Sequence, residues 1–373
     1  MRFVIIAGEA SGDLHGSNLI RAIKTLQPDA EFRFFGGERM ASLADGLVKD
    51  YRDMAFMGFF EVLTHLNSIR KNLQTAREMI LDFKPEAVIL IDYPGFNLRI
   101  AAFAKEQDIP VFYYISPKVW AWKQSRILKI RQTVDRMFAI LPFEVAFYRQ
   151  HGMEVSYSGN PVLDEIDRYL KNTPEKEAIR SEFNLGEKPL ILLAPGSRKQ
   201  ELKYNLSHMV ALTERFPGYR FVIAGAPGLT PEDYAPYLND KDIPVIPGRF
   251  YDLLLLAEAA IVTSGTATLE TALMNVPQVA VYKGNTLSYA VAKRLVRVKY
   301  ISLVNLIADA PVIRELIQNE VRPEIIAAET ARILPGGEKR GQMLEGYLKV
   351  RDILGKPGVS ERVAREMIER LEK

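Results

Sequence analysis

Short apolar runs recur along the whole chain, and a longer segment of helical periodicity follows almost every one. In the first half they lie near 3–7, 32–35, 86–91, 111–115, 136–140 and 154–157. In the second half they lie near 190–194, 220–224, 243–246, 259–263 and 278–282. Many are continuously apolar rather than alternating, as in Leu190-Ile191-Leu192-Leu193-Ala194, the pattern of strands covered on both faces. Strand and helix in regular alternation predict parallel α/β architecture. A polar, charged stretch from Asp164 to Lys188, with Pro174 inside it, separates the halves. We therefore expect two facing Rossmann-like, doubly wound domains over 1–170 and 171–338, with C-terminal helices over 339–373 broken at Gly355-Lys356-Pro357-Gly358. Those last helices are expected either to pack back on the first domain or to exchange with a partner chain.

Bulk composition narrows the classes of function. A chain of 373 residues exceeds one ordinary core, in keeping with two domains. With 48% hydrophobic and 25% charged residues it reads as globular, and a net charge of +3 gives no argument for nucleic acid. Cysteine is absent, which excludes disulfides, thiolate metal sites and a cysteine nucleophile. The histidines, at 15, 65, 151 and 208, show no metal-ligand spacing. Asp240-Lys241-Asp242 has the spacing of a metal-dependent sugar-nucleotide site, but it precedes a strand in a proline-flanked loop and reads as a solvated turn. The N-terminal apolar run is too short for a signal peptide, and no apolar stretch approaches the ~20 residues that span a bilayer. A reducing cytoplasm is the expected setting.

In doubly wound sheets ligands bind outside the carboxyl ends of the strands, so the residues that follow each strand carry the chemistry. The most informative are Ser264-Gly265-Thr266-Ala267-Thr268-Leu269-Glu270, where a strand turns into a helix through small residues. Free amides and the positive end of the helix dipole make such a turn an anion site, and Gly265 lets a phosphate approach the backbone. Glu270 lies four residues after Thr266, on the same helix face, where it is placed to accept from a ribose diol. Pro195-Gly196-Ser197-Arg198 offers a second glycine turn followed by a guanidinium suited to a diphosphate. Weaker indications are Pro247-Gly248-Arg249-Phe250 after another strand, whose backbone groups are candidate readers of a base edge, and Tyr282 and Asn285 after the last strand.

The first half carries different groups. Glu9 and Asp92 each follow a predicted strand; partial burial of Asp92 would raise its pKa toward a general-base value. Gly8 and Gly12 leave room for a ligand near the backbone, Ser11 or Asp13 is expected to cap the first helix, and Asn97 to cap the helix after Asp92. Both tryptophans fall in Ser116-Pro117-Lys118-Val119-Trp120-Ala121-Trp122, where they either line a groove or pack beneath it. The segment 54–73 repeats aromatics at helical spacing, and Phe56, Met57, Phe59 and Phe60 exceed what one core face requires. That excess is suited to acyl chains or a membrane surface.

These segments resemble lipid-A-disaccharide synthases, the family 19 glycosyltransferases. The match is carried in order by Ala7-Gly8-Glu9-Ala10-Ser11-Gly12-Asp13, Ile91-Asp92-Tyr93-Pro94-Gly95-Phe96-Asn97, the tryptophan loop, Leu141-Pro142-Phe143-Glu144, Pro195-Gly196-Ser197-Arg198, the 264–270 turn, and Ala292-Lys293-Arg294-Leu295-Val296 with Tyr300-Ile301-Ser302-Leu303-Val304-Asn305-Leu306. The resemblance implies the metal-independent GT-B architecture with no cofactor. It implies condensation of UDP-2,3-diacylglucosamine with 2,3-diacylglucosamine 1-phosphate to the β-1,6 disaccharide 1-phosphate and UDP. Asp92 is then the base and Glu9 an acceptor-orienting carboxylate. Gly196, Ser197, Arg198, Arg249, Gly265, Thr266, Ala267 and Glu270 bind UDP. Phe56, Met57, Phe59, Phe60, Asn97 and Trp120 meet the acceptor, its acyl chains or the membrane. The expected protein is a monomer or homodimer on the cytoplasmic face of the inner membrane. Family members often carry an acidic residue where Gly95 stands, so Asp92 is the only carboxylate of its segment here. The competing readings are another UDP-sugar enzyme of the same fold, such as UDP-N-acetylglucosamine 2-epimerase, and a non-catalytic membrane-associated nucleotide-binding protein.

Overall fold

A computed structural model of the chain describes all residues except 55–65, 121–124, 287–288 and 290–297. The chain divides into two compact units, Met1–Asp164 with Lys356–Lys373, and Glu165–Gly355. The first unit is built on seven strands: β1 (Arg2–Ala7), β2 (Glu31–Gly36), β3 (Leu47–Asp50), β4 (Ala87–Ile91), β5 (Val111–Tyr114), β6 (Arg136–Ala139) and β7 (Ser156–Tyr157). Their order is β3-β2-β1-β4-β5-β6-β7, all parallel. The second unit has six: β8 (Leu190–Ala194), β9 (Arg220–Gly225), β10 (Val245–Pro247), β11 (Ala257–Thr263), β12 (Gln278–Tyr282) and β13 (Arg314–Ile317). Their order, β10-β9-β8-β11-β12-β13, is again all parallel. Both orders reverse direction at the first strand, the doubly wound arrangement with one switch point per sheet.

The central strands β1, β4 and β8 are buried almost throughout, as continuously apolar runs require. The apolar pattern missed two strands, β3 and β13. Both are edge strands, and Leu-Val-Lys-Asp and Arg-Glu-Leu-Ile are too polar and too exposed to give an apolar run.

The glycines after β1 serve packing. A Cβ on Gly12 would stand 3.0 Å from the Ala7 Cβ, and one on Gly16 2.6 Å from the Met40 Sδ, so the helix Ala10–Leu26 lies tight against its sheet. Neither Ser11 nor Asp13 caps that helix; its N-cap is Glu9, whose side chain makes no capping bond. Asp13 instead turns inward and accepts from the amides of Gly37 (2.7 Å), Arg39 (3.2 Å) and Met40 (3.2 Å), fixing the turn after β2.

The C-terminal helices divide between the units. The helix Arg340–Leu354 belongs to the second, and Gly355 and Gly358, both at φ +88°, break the chain before Val359–Leu371 joins the first. Val359, Val363, Ala364 and Met367 share one core with Leu19, Ile20 and Ile23 of the helix Ala10–Leu26. The carboxylate of Asp164 caps this last helix, accepting from Gly358 (2.7 Å), Val359 (2.9 Å) and Ser360 (2.7 Å). One aspartate thus ties together the two points where the chain passes between units.

Close to that cap lies His15, almost fully buried, its Nδ1 without a partner among the described residues. Burial pushes its imidazole down to about 4, against the opposing field of Asp164. Its folded-state pKa lies below the unfolded value, so its neutral form stabilises the fold at neutral pH and that contribution is lost as pH falls from about 6.5 toward 4. Between pH 7 and 5 this single group should remove about 2 kcal/mol. Denaturant unfolding at both pH values should show a loss smaller by about that amount in His15→Asn. An equal loss in the two proteins would show that His15 is not the group responsible.

Candidate functional site

Strand register assembles the edge of the first sheet. Ala7 pairs with Ile91, and Ile91 with Tyr114, so the next residues outward, Gly8, Asp92 and Ile115, stand side by side at the switch point. Asp92 (φ +42°), Tyr93 (φ +48°) and Ile115 (φ +66°) all adopt left-handed backbone, a costly conformation for bulky residues and most of all for a β-branched one. The main-chain carbonyl of Asp92 is held by the hydroxyl of Tyr113 (2.5 Å) and by Nδ2 of Asn97 (2.8 Å), which also donates to the carbonyl of Ile91 (3.1 Å). The carboxyl of Asp92 is left at the edge. Burial raises its pKa above the usual carboxylate value, opposed by the Lys118 ammonium and the Tyr93 amide.

Several sequence expectations change here. Asn97 is neither a cap nor placed on an acceptor: it lies within the helix Pro94–Glu106, whose N-cap is Tyr93, and its side chain is fully buried against strand-end carbonyls. Gly8 makes room for a side chain rather than a ligand, since a Cβ there would meet the Tyr93 ring at 2.5 Å. Tyr93 in turn donates to the carbonyl of Met54 (3.0 Å). Glu9 remains beside these groups, and its charge, after burial, helps to push the Tyr93 phenol up.

The loop after β5 is anchored by Glu144, a residue without an individual role in the sequence reading. This glutamate, in the first turn of the helix Pro142–Gln150, is almost fully buried. One carboxylate oxygen accepts from Ser116 Oγ (2.5 Å) and Trp120 Nε1 (3.0 Å), the other from the amides of Ile140 (3.1 Å) and Leu141 (3.0 Å). The Trp120 ring meets Phe143 edge-on at 4.9 Å. Its indole N–H is therefore committed to the protein, which favours packing over groove lining. Proline followed by glutamate at the third helical position was the available signal, since such a carboxylate can reach back to free amides.

At the switch point of the second sheet, β8 and β11 deliver both glycine turns to one edge, with Ala194 paired to Val262. Gly196 sits at φ +116°, which only glycine adopts readily. The side chain of Glu201 folds over it, accepting from the Ser197 amide (2.7 Å) and pairing with Arg198 Nη1 (3.3 Å). An internal carboxylate thus stands where an anion was expected. Gly265 is different. Its backbone is extended, and a Cβ there would meet none of the described residues within 4 Å, so neither conformation nor their packing demands a glycine. The helix Thr266–Leu273 starts beside this open space, stabilised by Thr268 Oγ1 on the Gly265 carbonyl (2.8 Å). Ser264 Oγ holds the carbonyl of Ile301 (3.0 Å), and Glu270 accepts from the hydroxyl of Tyr251 (2.7 Å).

The side chain of Arg249 is engaged inside the protein. Its guanidinium pairs through both Nη atoms with Glu182 and through Nε with Asp252, and it lies over the Phe183 ring at 5.0 Å. What remains for a ligand at this position is backbone. Asp242 pairs with Arg220 and Lys241 with Glu214, as a solvated turn should. Phe56, Met57, Phe59 and Phe60 lie outside the described residues. Among the described residues no helix is long and apolar enough to cross a membrane.

Comparison with known proteins places these edges in a family. The family model described as lipid-A-disaccharide synthetase matches residues 3–365. The chain is 40% identical over 370 residues to a lipid-A-disaccharide synthase of Trichlorobacter lovleyi, covering 97% of this chain and 96% of that protein. It is 41% identical over 379 residues to the one of Geobacter metallireducens, covering 100% and 98%. Among solved structures, UDP-GlcNAc 2-epimerase from Neisseria meningitidis bound to UDP-GlcNAc superimposes with a TM-score of 0.67 at 15% identity, over 99% of this chain and 100% of that one. The calicheamicin glycosyltransferase CalG4 gives 0.60, also at 15% identity, over 100% and 98%. At that identity the structural likeness speaks for the fold alone. The sequence likeness covers nearly every residue on both sides, and by it the chain belongs to the lipid-A-disaccharide synthase family of glycosyltransferases.

Proposed function

We propose that this chain transfers the diacylglucosaminyl group of UDP-2,3-diacylglucosamine to the 6-hydroxyl of 2,3-diacylglucosamine 1-phosphate, with inversion at the anomeric carbon. The observation that carries the reading is Asp92: a carboxyl at a switch point, held on left-handed backbone, with its pKa raised by burial. It takes the hydroxyl proton as the oxygen bonds to the anomeric carbon, while the bond from that carbon to UDP breaks and its electron pair leaves with UDP. Glu9 stands at the same edge to orient the acceptor.

The second unit serves the leaving group. Among the described residues nothing requires Gly265 to be glycine, and a phosphate resting on the backbone at the start of the helix Thr266–Leu273, against Thr266 and Ala267, explains it. Arg198, with the turn of Gly196 and Ser197, neutralises charge on the departing UDP, so that no metal ion is needed. Glu270, oriented by Tyr251, takes the ribose, and the backbone at Arg249 the base. The segment holding Phe56, Met57, Phe59 and Phe60 receives acyl chains or rests on the cytoplasmic face of the inner membrane.

Asp92→Asn should lower disaccharide formation by about two to four orders of magnitude, the usual worth of a general base, while UDP still binds. Mass spectrometry of product and calorimetry with UDP check this; undiminished product would remove Asp92 as the base. Because burial raises its pKa, kcat/KM should rise with pH through a value above the ordinary carboxylate range, and Lys118→Met, by removing the opposing charge, should move that limb to still higher pH.

Arg198→Ala should weaken UDP binding about tenfold or more, since a charge-assisted bond to phosphate is lost. Unchanged affinity would contradict its placement. EDTA should leave the rate unchanged. Turnover of UDP-N-acetylglucosamine without any acylated acceptor would favour the epimerase reading instead.

A further inference from the structure

The loop after β5 is far more heavily braced than its exposed content explains. It begins on a left-handed isoleucine, Ile115 at φ +66°. Ser116 and Trp120 are both fastened to the buried carboxylate of Glu144, and the carbonyl of Pro117 accepts from the hydroxyl of Tyr148 (3.4 Å) and the amide of Val119 (2.6 Å). Val119 is buried in the core. Between these anchors stands one exposed side chain, Lys118.

A lysine that merely solvates a surface needs no such support, and a carboxylate as deeply buried as Glu144 costs free energy that its four donors must offset. Among the described residues no carboxylate forms an ion pair with Lys118, whereas Arg198 and Arg249, which follow strands of the second sheet, both pair with acids. Strand register sets Ile115, where this loop begins, at the level of Asp92, and the Lys118 charge reaches that carboxyl. An ammonium on a braced loop beside the candidate base, without an ion pair among the described residues, is suited to a phosphate on the molecule whose hydroxyl that base activates.

We propose that Lys118 binds the phosphate of the acceptor, and that Glu144 is the positioning residue that holds the loop Ile115–Trp120 so that this ammonium stands beside Asp92. The inference rests on the transfer reaction proposed above and adds a residue that selects the acceptor. It concerns the acceptor alone: the donor's phosphates are left to the second unit. Glu144 acts through Ser116 and Trp120 and touches no substrate.

The test compares the acylated acceptor with and without its 1-phosphate in detergent micelles, by calorimetry for binding and by mass spectrometry for turnover. In the wild type the phosphate should tighten acceptor binding at least tenfold. Lys118→Met should abolish that advantage, raising KM for the phosphorylated acceptor to the value for the dephosphorylated one, with KM for the UDP-sugar unchanged. Lys118→Arg should restore most of it. Glu144→Gln presents an amide N–H₂ to the donors of Ile140 and Leu141 and should release the loop; the milder pair Ser116→Ala and Trp120→Phe releases it while leaving those two bonds in place. Both should cost the phosphate advantage, at an unfolding midpoint close to wild type for the milder pair. Equal losses with the two acceptors in Lys118→Met would show that the lysine acts only on Asp92 and would overturn the proposal. So would a wild type indifferent to the phosphate in binding, whether or not it turns over. A wild type that binds the phosphorylated acceptor selectively but makes no disaccharide would instead overturn the transfer reaction and leave the phosphate site standing.

Discussion

Every strand pairing in both sheets is parallel, and the placement of all candidate chemistry follows from that constraint. Parallel neighbours present their carboxyl ends at one edge, and the reversal of strand order opens a crevice there. In the first unit β1, β4 and β5 bring Gly8, Asp92 and Ile115 to one level although they are far apart in sequence. In the second, β8 and β11 bring Gly196 and Gly265 together by the same device. The chemistry differs because the turns differ, not because the sheets do.

Inside both units carboxylates do the work that water or a ligand does elsewhere: they satisfy backbone amides at turns and helix starts. Asp13 gathers three amides after β2, Asp164 three at the start of the last helix, and Glu144 two amides and two side chains. In the second unit Glu315 holds the amides of Ile301 and Ser302 together with the side chains of Ser302 and Asn305. Removing any one leaves several buried donors unpaired, which costs more than the mean worth of the bonds themselves. The fold is correspondingly specific about where these acids sit.

The strands of the central sheets were legible because burial on both faces leaves a continuous apolar run, and the reversal of their order is the general consequence of doubly wound topology. The edge strands β3 and β13 were not, because half-exposed strands carry charges that erase the run. At the candidate site, residue type and position after a strand sufficed to single out Asp92, Arg198, Gly265 and Glu270. Partnership was invisible. Nothing in the order of residues says that Arg249 is already engaged by Glu182, 67 positions away, or that Glu144 holds Trp120. The glycines were legible as necessary but not as to why: Gly8 accommodates Tyr93 and Gly12 accommodates Ala7, whereas Gly265 borders open space without needing a left-handed backbone.

These differences in partnership separate structure from chemistry more sharply than residue type does. The acids that brace the fold direct their carboxylate oxygens at amides and hydroxyls. Asp92 is arranged the other way round: the hydroxyl of Tyr113 and the side chain of Asn97 bind its main-chain carbonyl, fixing the residue without using its carboxyl. Among the described residues only the amide of Tyr93 supports the charged form through a hydrogen bond, together with the Lys118 charge, and burial outweighs both. A carboxyl that is rigidly placed yet under-solvated gains free energy by taking up a proton, as a base must at the moment of transfer. Relieving that condition with more donors would make a better-satisfied aspartate and a poorer proton acceptor. The left-handed backbone at Asp92 and Tyr93 is the structural cost of holding the group in this state, and the buried bonds of Asn97 and Tyr113 are what offset it.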